Sequence, residues 1–309
     1  MAEISVGAAV GSGFALIGRK PVTVLSWGLV RFGLLAAMFA LFAPFFVEAF
    51  RTAAERAQHG ATQPPDPAAI LPRMMMLQGL SYLLQIVQAL VVCVVYCAAW
   101  RAILHPERTR FGYLRVGAPE LLLVLLAFAA GMVFVFGLLI LIIPIAIVVG
   151  VLAAIHLAPV AVAVGVLAAL ALAAGLLYIG LRFSFVGPMM VQDGKFHLFE
   201  SWTMTRGRAG RLFFVGLSLF GILILAELAV VIVAVAVGAA ALGVAAGGFG
   251  NLSGFFQLPP MEIVRRLAPL LAIYALASIP LQGCAVAIAG APWAKAYQDL
   301  LPDSAEAFT

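Results

Sequence analysis

The chain has 309 residues, of which 65% are hydrophobic and only 10% are charged, and its formal net charge is +5. Soluble domains carry about 25% charged residues, so this composition excludes a water-soluble globular protein and predicts that lipid covers most of the surface. The modest charge, with no basic block that alternates with aromatic residues, argues against nucleic acid as a partner.

The chain opens with a predicted amphipathic helix over residues 4–18 that lies along the membrane interface. Its apolar residues recur at steps of four and three and therefore share one face: Val6, Val10, Phe14 and Ile17. Gly18 is typical of a helix end, and Pro21 suits the first turn of the next helix. We expect no cleaved signal peptide, because this stretch contains Glu3, lacks an N-terminal basic residue and is interrupted by glycines.

Six membrane spans are predicted, since about 20 apolar helical residues cross a hydrocarbon core of about 30 Å. They cover approximately residues 22–47, 74–100, 120–143, 159–181, 212–241 and 267–293. The third and fourth come from one run without Asp, Glu, Lys or Arg, Leu121 to Leu181, which would measure about 90 Å as a single helix. We expect Pro144 to break this run and residues 156–159 to form the return, with the piece between them in the far interface.

Three segments between the spans are predicted to be loops or interfacial helices. Residues 48–73 contain prolines at 64, 65 and 67 and are predicted to be a loop. Residues 182–211 hold the turn signals Gly187-Pro188 and Asp193-Gly194, followed by an interfacial helix whose aromatic residues recur at every third position: Phe196, Phe199 and Trp202. A glycine-rich loop is predicted over residues 247–260.

The distribution of basic residues predicts the orientation. Twelve lie on one side of the proposed spans and five on the other, with Arg31 inside a span. Lys and Arg are enriched in cytoplasmic loops, so we expect a multi-pass protein of the cell membrane with both termini in the cytoplasm. The twelve predicted cytoplasmic residues are Arg19, Lys20, Arg101, Arg108, Arg110, Arg115, Arg182, Lys195, Arg206, Arg208, Arg211 and Lys295.

The chain is interpreted as one membrane domain, residues 1–309, with a three-fold pseudo-repeat. Three times, a segment rich in Gly and Arg leads into a pair of spans, which divides the chain into 4–104, 105–183 and 184–296. The alternative is that every cytoplasmic loop is basic and rich in glycine without any repeat.

Three short motifs resemble bacterial membrane proteins of the glycerophosphoryl diester phosphodiesterase membrane-domain type. They are FESWTMTRGR at 199–208, FALIGRKP at 14–21 and FGYLR at 111–115. The resemblance covers nearly the whole chain and implies an all-α membrane domain, which in that family can be attached to a soluble phosphodiesterase barrel. No segment of these 309 residues is long and polar enough to form that barrel, so the resemblance assigns no catalytic residue here.

The first candidate site is an intramembrane charge pair between Arg31 and Glu227. A charge in the hydrocarbon is costly and usually faces protein, water or a partner charge. At about 1.5 Å per residue, Arg31 lies about 15 Å deep and Glu227 about 24 Å deep, a difference that the long arginine side chain can bridge. The pair is interpreted as a packing clamp between the first and fifth spans, with a proton or substrate relay and a lone snorkelling charge as alternatives.

A second candidate is the trio Asp193, His197 and Glu200, which a helix would place on one face, as metal ligands require. We interpret it as the solvated face of the interfacial helix, and we expect no metal or other cofactor. The three cysteines are interpreted as small buried hydrophobic residues: Cys93, Cys97 and Cys284.

The third candidate is a surface for anionic lipid headgroups, because basic residues beside a membrane attract such lipids at about 1 kcal/mol each. Its predicted members are Arg19, Lys20, Trp202, Arg206, Arg208 and Arg211. The alternative is that these residues only orient the spans and have no lipid specificity.

Three functions remain open at this point. The first is a non-catalytic integral membrane protein that organises or binds lipid or a membrane partner protein. The second is a small-molecule or lipid transporter that uses Arg31 and Glu227. The third is a membrane enzyme that acts on phosphodiesters, for which only the trio Asp193, His197 and Glu200 offers a catalytic set. We expect the first.

Overall fold

The fold is all-α, as predicted, in a computed structural model that describes residues 4–58, 67–107, 109–245, 247–248, 250 and 258–301. Six of its helices are long and apolar enough to span a membrane. The elements in chain order are α1 Val6–Arg19, α2 Pro21–Gln58, α3 Pro67–Leu104, a 3₁₀-type turn Arg110–Tyr113, α4 Ala118–Ala154, α5 Ala158–Arg182, α6 Val186–Asp193, α7 Leu198–Met204, α8 Ala209–Ala245 and α9 Pro260–Gln298.

Several helices run further than the sequence predicted. Helix α4 continues through Pro144 to Ala154, so the predicted break there is wrong. Proline removes one backbone hydrogen bond, and the remaining bonds of a long apolar helix hold it together on both sides. The return that follows was predicted correctly, because a turn at 155–157 separates α4 from α5.

The predicted loop 48–73 is largely helical. Helix α2 continues through Pro44 to Gln58, and α3 begins at Pro67. Proline is tolerated at this first position, because the backbone N–H that it lacks would have no partner within the helix. Residues 59–66, with the prolines at 64 and 65, lie outside the described part of the chain, as do residues 251–257 of the predicted glycine-rich loop.

Helix α9 is the centre of the packing, since it contacts α1, α2, α3, α6 and α8. Its backbone approaches α2 most closely at two glycines. A Cβ atom built on Gly28 would collide with the backbone of Ile279, and one built on Gly283 would collide with the backbone of Val24. Small residues at such crossings allow two membrane helices to pack without intervening side chains.

Helix α1 also packs on α9, and three residues of its predicted apolar face, Val6, Val10 and Ile17, are partly buried against the core. Its buried residues are Ala9, Gly13 and Leu16, whereas Phe14 is 49% exposed. A Cβ atom on Gly13 would lie 2.8 Å from Ile288 Cα. Because α1 approaches α9 so closely, small residues occupy the interface between them. The apolar stripe predicted from periodicity is therefore only partly covered.

The turn signals in the segment after α5 gave a mixed result. Asp193-Gly194 does end a helix, with Gly194 in the left-handed region at φ 73°. Gly187-Pro188, predicted as a turn, lies buried in the first turn of α6, where proline is tolerated. Gly187 sits directly under the Trp100 ring, which requires the absence of a side chain there.

The two buried clusters of the bundle lie at the same end. One joins the start of α1, the ends of α5 and α9, α6 and the start of α8. The other cluster joins the end of α1, the start of α2, the end of α3 and the last third of α9, together with Tyr113. We call this the basic end: the end at which α2, α4 and α8 begin and α3, α5 and α9 finish. Those predicted cytoplasmic basic residues that the structure describes lie here.

Away from the basic end, the long helices are open to their surroundings. In the most apolar stretches of α4 and α8, 0% of the residues are buried, and in that of α5 only 6% are. Apolar surface on this scale has to be covered by lipid or by another membrane protein. Each pair of spans follows a short element at the basic end, but no observation tests the predicted pseudo-repeat, which stays a prediction.

Candidate functional site

Lys20 ties the junction between α1 and α2 to the turn Arg110–Tyr113. Its ammonium group donates to the Tyr113 hydroxyl and to the Pro106 carbonyl oxygen at 3.4 Å, and it lies 4.8 Å from the centroid of the Tyr113 ring. The Tyr113 hydroxyl in turn donates to the Pro106 carbonyl oxygen at 2.9 Å. The charge of Lys20 is therefore fixed at the surface of the basic end.

The turn itself has an uncommon backbone. Phe111, Gly112 and Tyr113 have φ values of 50°, 62° and 65°, so three successive residues are left-handed. This conformation costs roughly 1–2 kcal/mol for each non-glycine residue. Trp27 compensates by donating its indole N–H to the Gly112 carbonyl oxygen at 2.8 Å. Arg101 donates to the Tyr113 carbonyl oxygen at 3.4 Å.

Sequence reasoning missed a buried ion pair between Arg101 and Glu120. The Arg101 guanidinium binds one carboxylate oxygen of Glu120, and the two residues are 3% and 0% exposed. The other carboxylate oxygen accepts the backbone N–H of Gly117 at 2.9 Å, so Glu120 also caps α4. The sequence signal was present: a glutamate three residues after Gly117, at the start of an apolar run, is typical of a helix cap.

A cleft of about 580 Å³ opens beside this pair, where Arg101 near the end of α3 meets the segment that connects α3 to α4. Arg101 and the exposed Arg115 are close enough for their positive charges to repel each other. The Nε atom of Arg101 is buried and has no hydrogen-bond partner within the described part of the chain. The lining residues are Arg101, His105, Glu107, Thr109, Phe111, Tyr113, Leu114 and Arg115.

Arg182 organises the junction between α5 and α7. Its guanidinium donates to the Tyr178 hydroxyl at 2.6 Å and lies over the rings of Tyr178 and Trp202, at 4.9 and 5.2 Å from their centroids. Its carbonyl oxygen accepts the hydroxyl of Ser201 at 2.8 Å. Trp202, predicted to be an interfacial residue, is thus held against a cation at the end of a span.

The predicted headgroup residues remain accessible at the basic end. Arg19, Arg206 and Arg211 are exposed. Arg208 is half-buried and donates to the Met204 carbonyl oxygen at 3.1 Å. Two further predicted cytoplasmic residues are not characterised, since Arg108 and the side chain of Arg110 lie outside the described residues.

The structure does not bring Arg31 and Glu227 together. Within the described ranges no ion pair joins them, and Glu227 is exposed on α8. Arg31 instead lies close enough to Tyr96 of α3 for its charge to act on that side chain. The physical reason is the position of α9, which packs against both α2 and α8. Depth along a helix predicted heights that the arginine side chain could bridge, but it gave no information about which way each side chain faces.

The trio Asp193, His197 and Glu200 does come together. His197 Nε2 lies 2.6 Å from an Asp193 carboxylate oxygen, and His197 Nδ1 contacts Glu200. The two carboxylates are 44% and 61% exposed, which agrees with a solvated face. Over the residues that the structure describes, no group of three His, Cys, Asp or Glu side chains is arranged to hold a metal ion. The hydrogen bond between His197 and Asp193 links the start of α7 to the end of α6.

Comparison of the chain with protein-family models, with curated proteins and with solved structures finds no match. The functional interpretation therefore depends on the geometry of the basic end. The resemblance to the phosphodiesterase membrane-domain family stays a prediction.

Proposed function

We propose that this chain is a non-catalytic integral membrane protein that binds and organises anionic lipid at its basic end. The observation that carries the proposal is the contrast between the two ends of the bundle. At one end the helices are packed and surrounded by cations, and elsewhere their apolar faces are exposed. A cell membrane whose cytoplasmic leaflet is anionic offers a matching surface.

The cations at this end differ in how they are presented. Lys20 is fixed by hydrogen bonds and an aromatic ring, so it loses little side-chain freedom when a headgroup binds. Arg182 is 8% exposed and is held against the rings of Tyr178 and Trp202. Arg19 and Arg206 are exposed and can follow mobile headgroups. Each contributes about 1 kcal/mol of attraction to an anionic surface, and several together favour anionic over zwitterionic lipid by tenfold or more.

Lipid binding is favoured over transport as the function, because the transport hypothesis depends on a pair between Arg31 and Glu227 that does not form. Glu227 also lines neither of two cavities of about 580 Å³, one at the basic end and one formed by alanine, valine and glycine residues near the far end of α8. The second candidate function is binding of a membrane partner protein to α4 or α8, since these helices expose long apolar faces.

The proposal predicts a lipid preference that native mass spectrometry can measure. The detergent-solubilised protein should retain dioleoyl phosphatidylglycerol at least tenfold more tightly than dioleoyl phosphatidylcholine, and the preference should fall when ionic strength rises from about 0.05 to 0.5 M. Equal retention of the two lipids would contradict lipid binding. Solute flux into liposomes that is lost in Glu227→Gln would replace the proposal with the transport hypothesis.

A further inference from the structure

We infer that the cleft where the end of α3 meets the segment that connects α3 to α4 is a binding site for one phosphate ester group, supplied by the headgroup of an anionic lipid. The inference deepens the proposed function and rests on it. General attraction to a surface needs only exposed cations. The cleft adds a specific place with two guanidinium groups, a defined volume and an apolar rim.

The charges of the cleft favour an anion. Arg101 and Arg115 repel each other across it, and Glu120 cannot relieve both, because one of its oxygens binds Arg101 and the other accepts the Gly117 N–H. Among the residues that the structure describes, no ion pair involves Arg115. Glu107 is the one carboxylate in the lining, and its oxygen lies 3.8 Å from His105 Nδ1. An anion between the two arginines removes the repulsion.

A second observation points to a ligand. Arg101 is 3% exposed, lines the cleft and has a buried Nε–H without an acceptor in the described part of the chain. A buried donor without an acceptor is costly. Phosphate oxygens are the acceptors that a guanidinium binds best, through two parallel hydrogen bonds. Arg101 is already oriented by Glu120 and by the Tyr113 carbonyl oxygen, so its guanidinium is held in place in the wall of the cleft.

The rim of the cleft favours a lipid over a soluble phosphate. Phe111, within the turn, is 89% exposed, and Val116, which follows the turn, is 65% exposed. The left-handed backbone of Phe111 directs its ring away from the core, and strained residues of this kind persist where contacts fix them, often at ligand clamps. The cleft of about 580 Å³ lies within the range of ligand sites, roughly 300–1,000 Å³. A headgroup fits inside while its acyl chains lie along Phe111 and Val116.

The test compares Arg115→Gln with Arg265→Gln. Both residues are exposed and each substitution removes one positive charge, but Arg265 lies at the opposite end of the bundle. In native mass spectrometry, Arg115→Gln should weaken the tightest-bound dioleoyl phosphatidylglycerol by about tenfold, and Arg265→Gln by less than twofold. Arg115→Lys should recover part of the loss, because it restores the charge without the paired hydrogen bonds. Unchanged melting temperatures confirm that the variants are folded.

The outcomes separate this inference from the proposed function. If Arg115→Gln binds like the unsubstituted protein while phosphatidylglycerol is still preferred over phosphatidylcholine, the cleft is not the site and the general proposal stands. If no lipid preference exists at all, both fail. If inorganic phosphate at millimolar concentration displaces the tightest lipid, the site takes a soluble phosphate, and the assignment to a lipid headgroup is overturned.

Discussion

Replacing Gly28 with alanine is expected to lower the free energy of unfolding by about 3 kcal/mol, the upper part of the usual range for overpacking. The added methyl group would overlap the Ile279 carbonyl oxygen and lie 2.9 Å from the Ile279 carbonyl carbon and 3.0 Å from the Gly283 nitrogen. These are backbone atoms of α9 and cannot rotate away. Gly283→Ala should have a similar effect, because its methyl group would overlap the Val24 carbonyl oxygen.

The reciprocal contacts explain why this crossing matters for the whole bundle. Each glycine faces a carbonyl oxygen of the other helix, a geometry that favours weak Cα–H···O hydrogen bonds between membrane helices. Separating α2 from α9 would also expose Trp27, which is 0% exposed and holds the left-handed turn through Gly112. The substitution therefore acts on the candidate site as well as on the packing.

Gly33 and Gly79 supply matched controls, since a Cβ atom on either would have no neighbour within 4 Å. Gly33→Ala and Gly79→Ala should be neutral or stabilising by up to about 1 kcal/mol, because alanine is the better helix former. Denaturant unfolding in micelles, followed by tryptophan fluorescence, measures all four variants. Equal stability of Gly28→Ala and Gly33→Ala would show that the α2–α9 crossing is not as close as described.

Glu120→Gln is expected to cost about 3–5 kcal/mol of stability, since it leaves the Arg101 charge buried without a compensating carboxylate. Arg101 and Glu120 are 3% and 0% exposed, so the charge of Arg101 is poorly solvated once its carboxylate partner is gone. The uncharged glutamine also weakens the cap on the Gly117 N–H. The measurement is denaturant unfolding in micelles, with helix content followed by circular dichroism.

The control is Glu262→Gln, which breaks the ion pair between Glu262 and Arg266 on the surface of α9. Their side chains are 39% and 43% exposed, and pairs of this kind contribute about 0–1 kcal/mol. The double variant Arg101→Met with Glu120→Leu should be more stable than the sum of the single substitutions predicts, because it removes both charges. Additive losses in this cycle would rule out a coupled buried pair.

The spans were predictable from the sequence because lipid imposes a simple requirement of length and apolarity. The ends of the helices were not. Pro44 and Pro144 lie inside continuous helices, since one missing hydrogen bond does not stop a helix whose neighbouring residues all favour it. Residues 48–58 are polar, yet they extend α2, because helix formation needs no apolar surroundings.

The candidate site was only partly predictable. The basic residues and Trp202 could be assigned to one end from charge and aromatic periodicity alone. The Arg101–Glu120 pair depends on a left-handed turn at Phe111 to Tyr113, and of these residues only Gly112 signals that conformation in the sequence. The predicted pair between Arg31 and Glu227 does not form. Depth in the membrane follows from residue count, but the direction in which a side chain points depends on the packing around α9.

The arrangement of the six spans, with every basic junction at one end, is tested most directly by site-specific labelling from outside intact cells. Single cysteines introduced by Glu107→Cys, Leu157→Cys and Arg206→Cys, in a chain with Cys93, Cys97 and Cys284 replaced by alanine, would be exposed to a membrane-impermeant maleimide. The account predicts that position 157 is labelled in intact cells and that 107 and 206 are labelled only after permeabilisation. Labelling of positions 157 and 206 from the same side would contradict it.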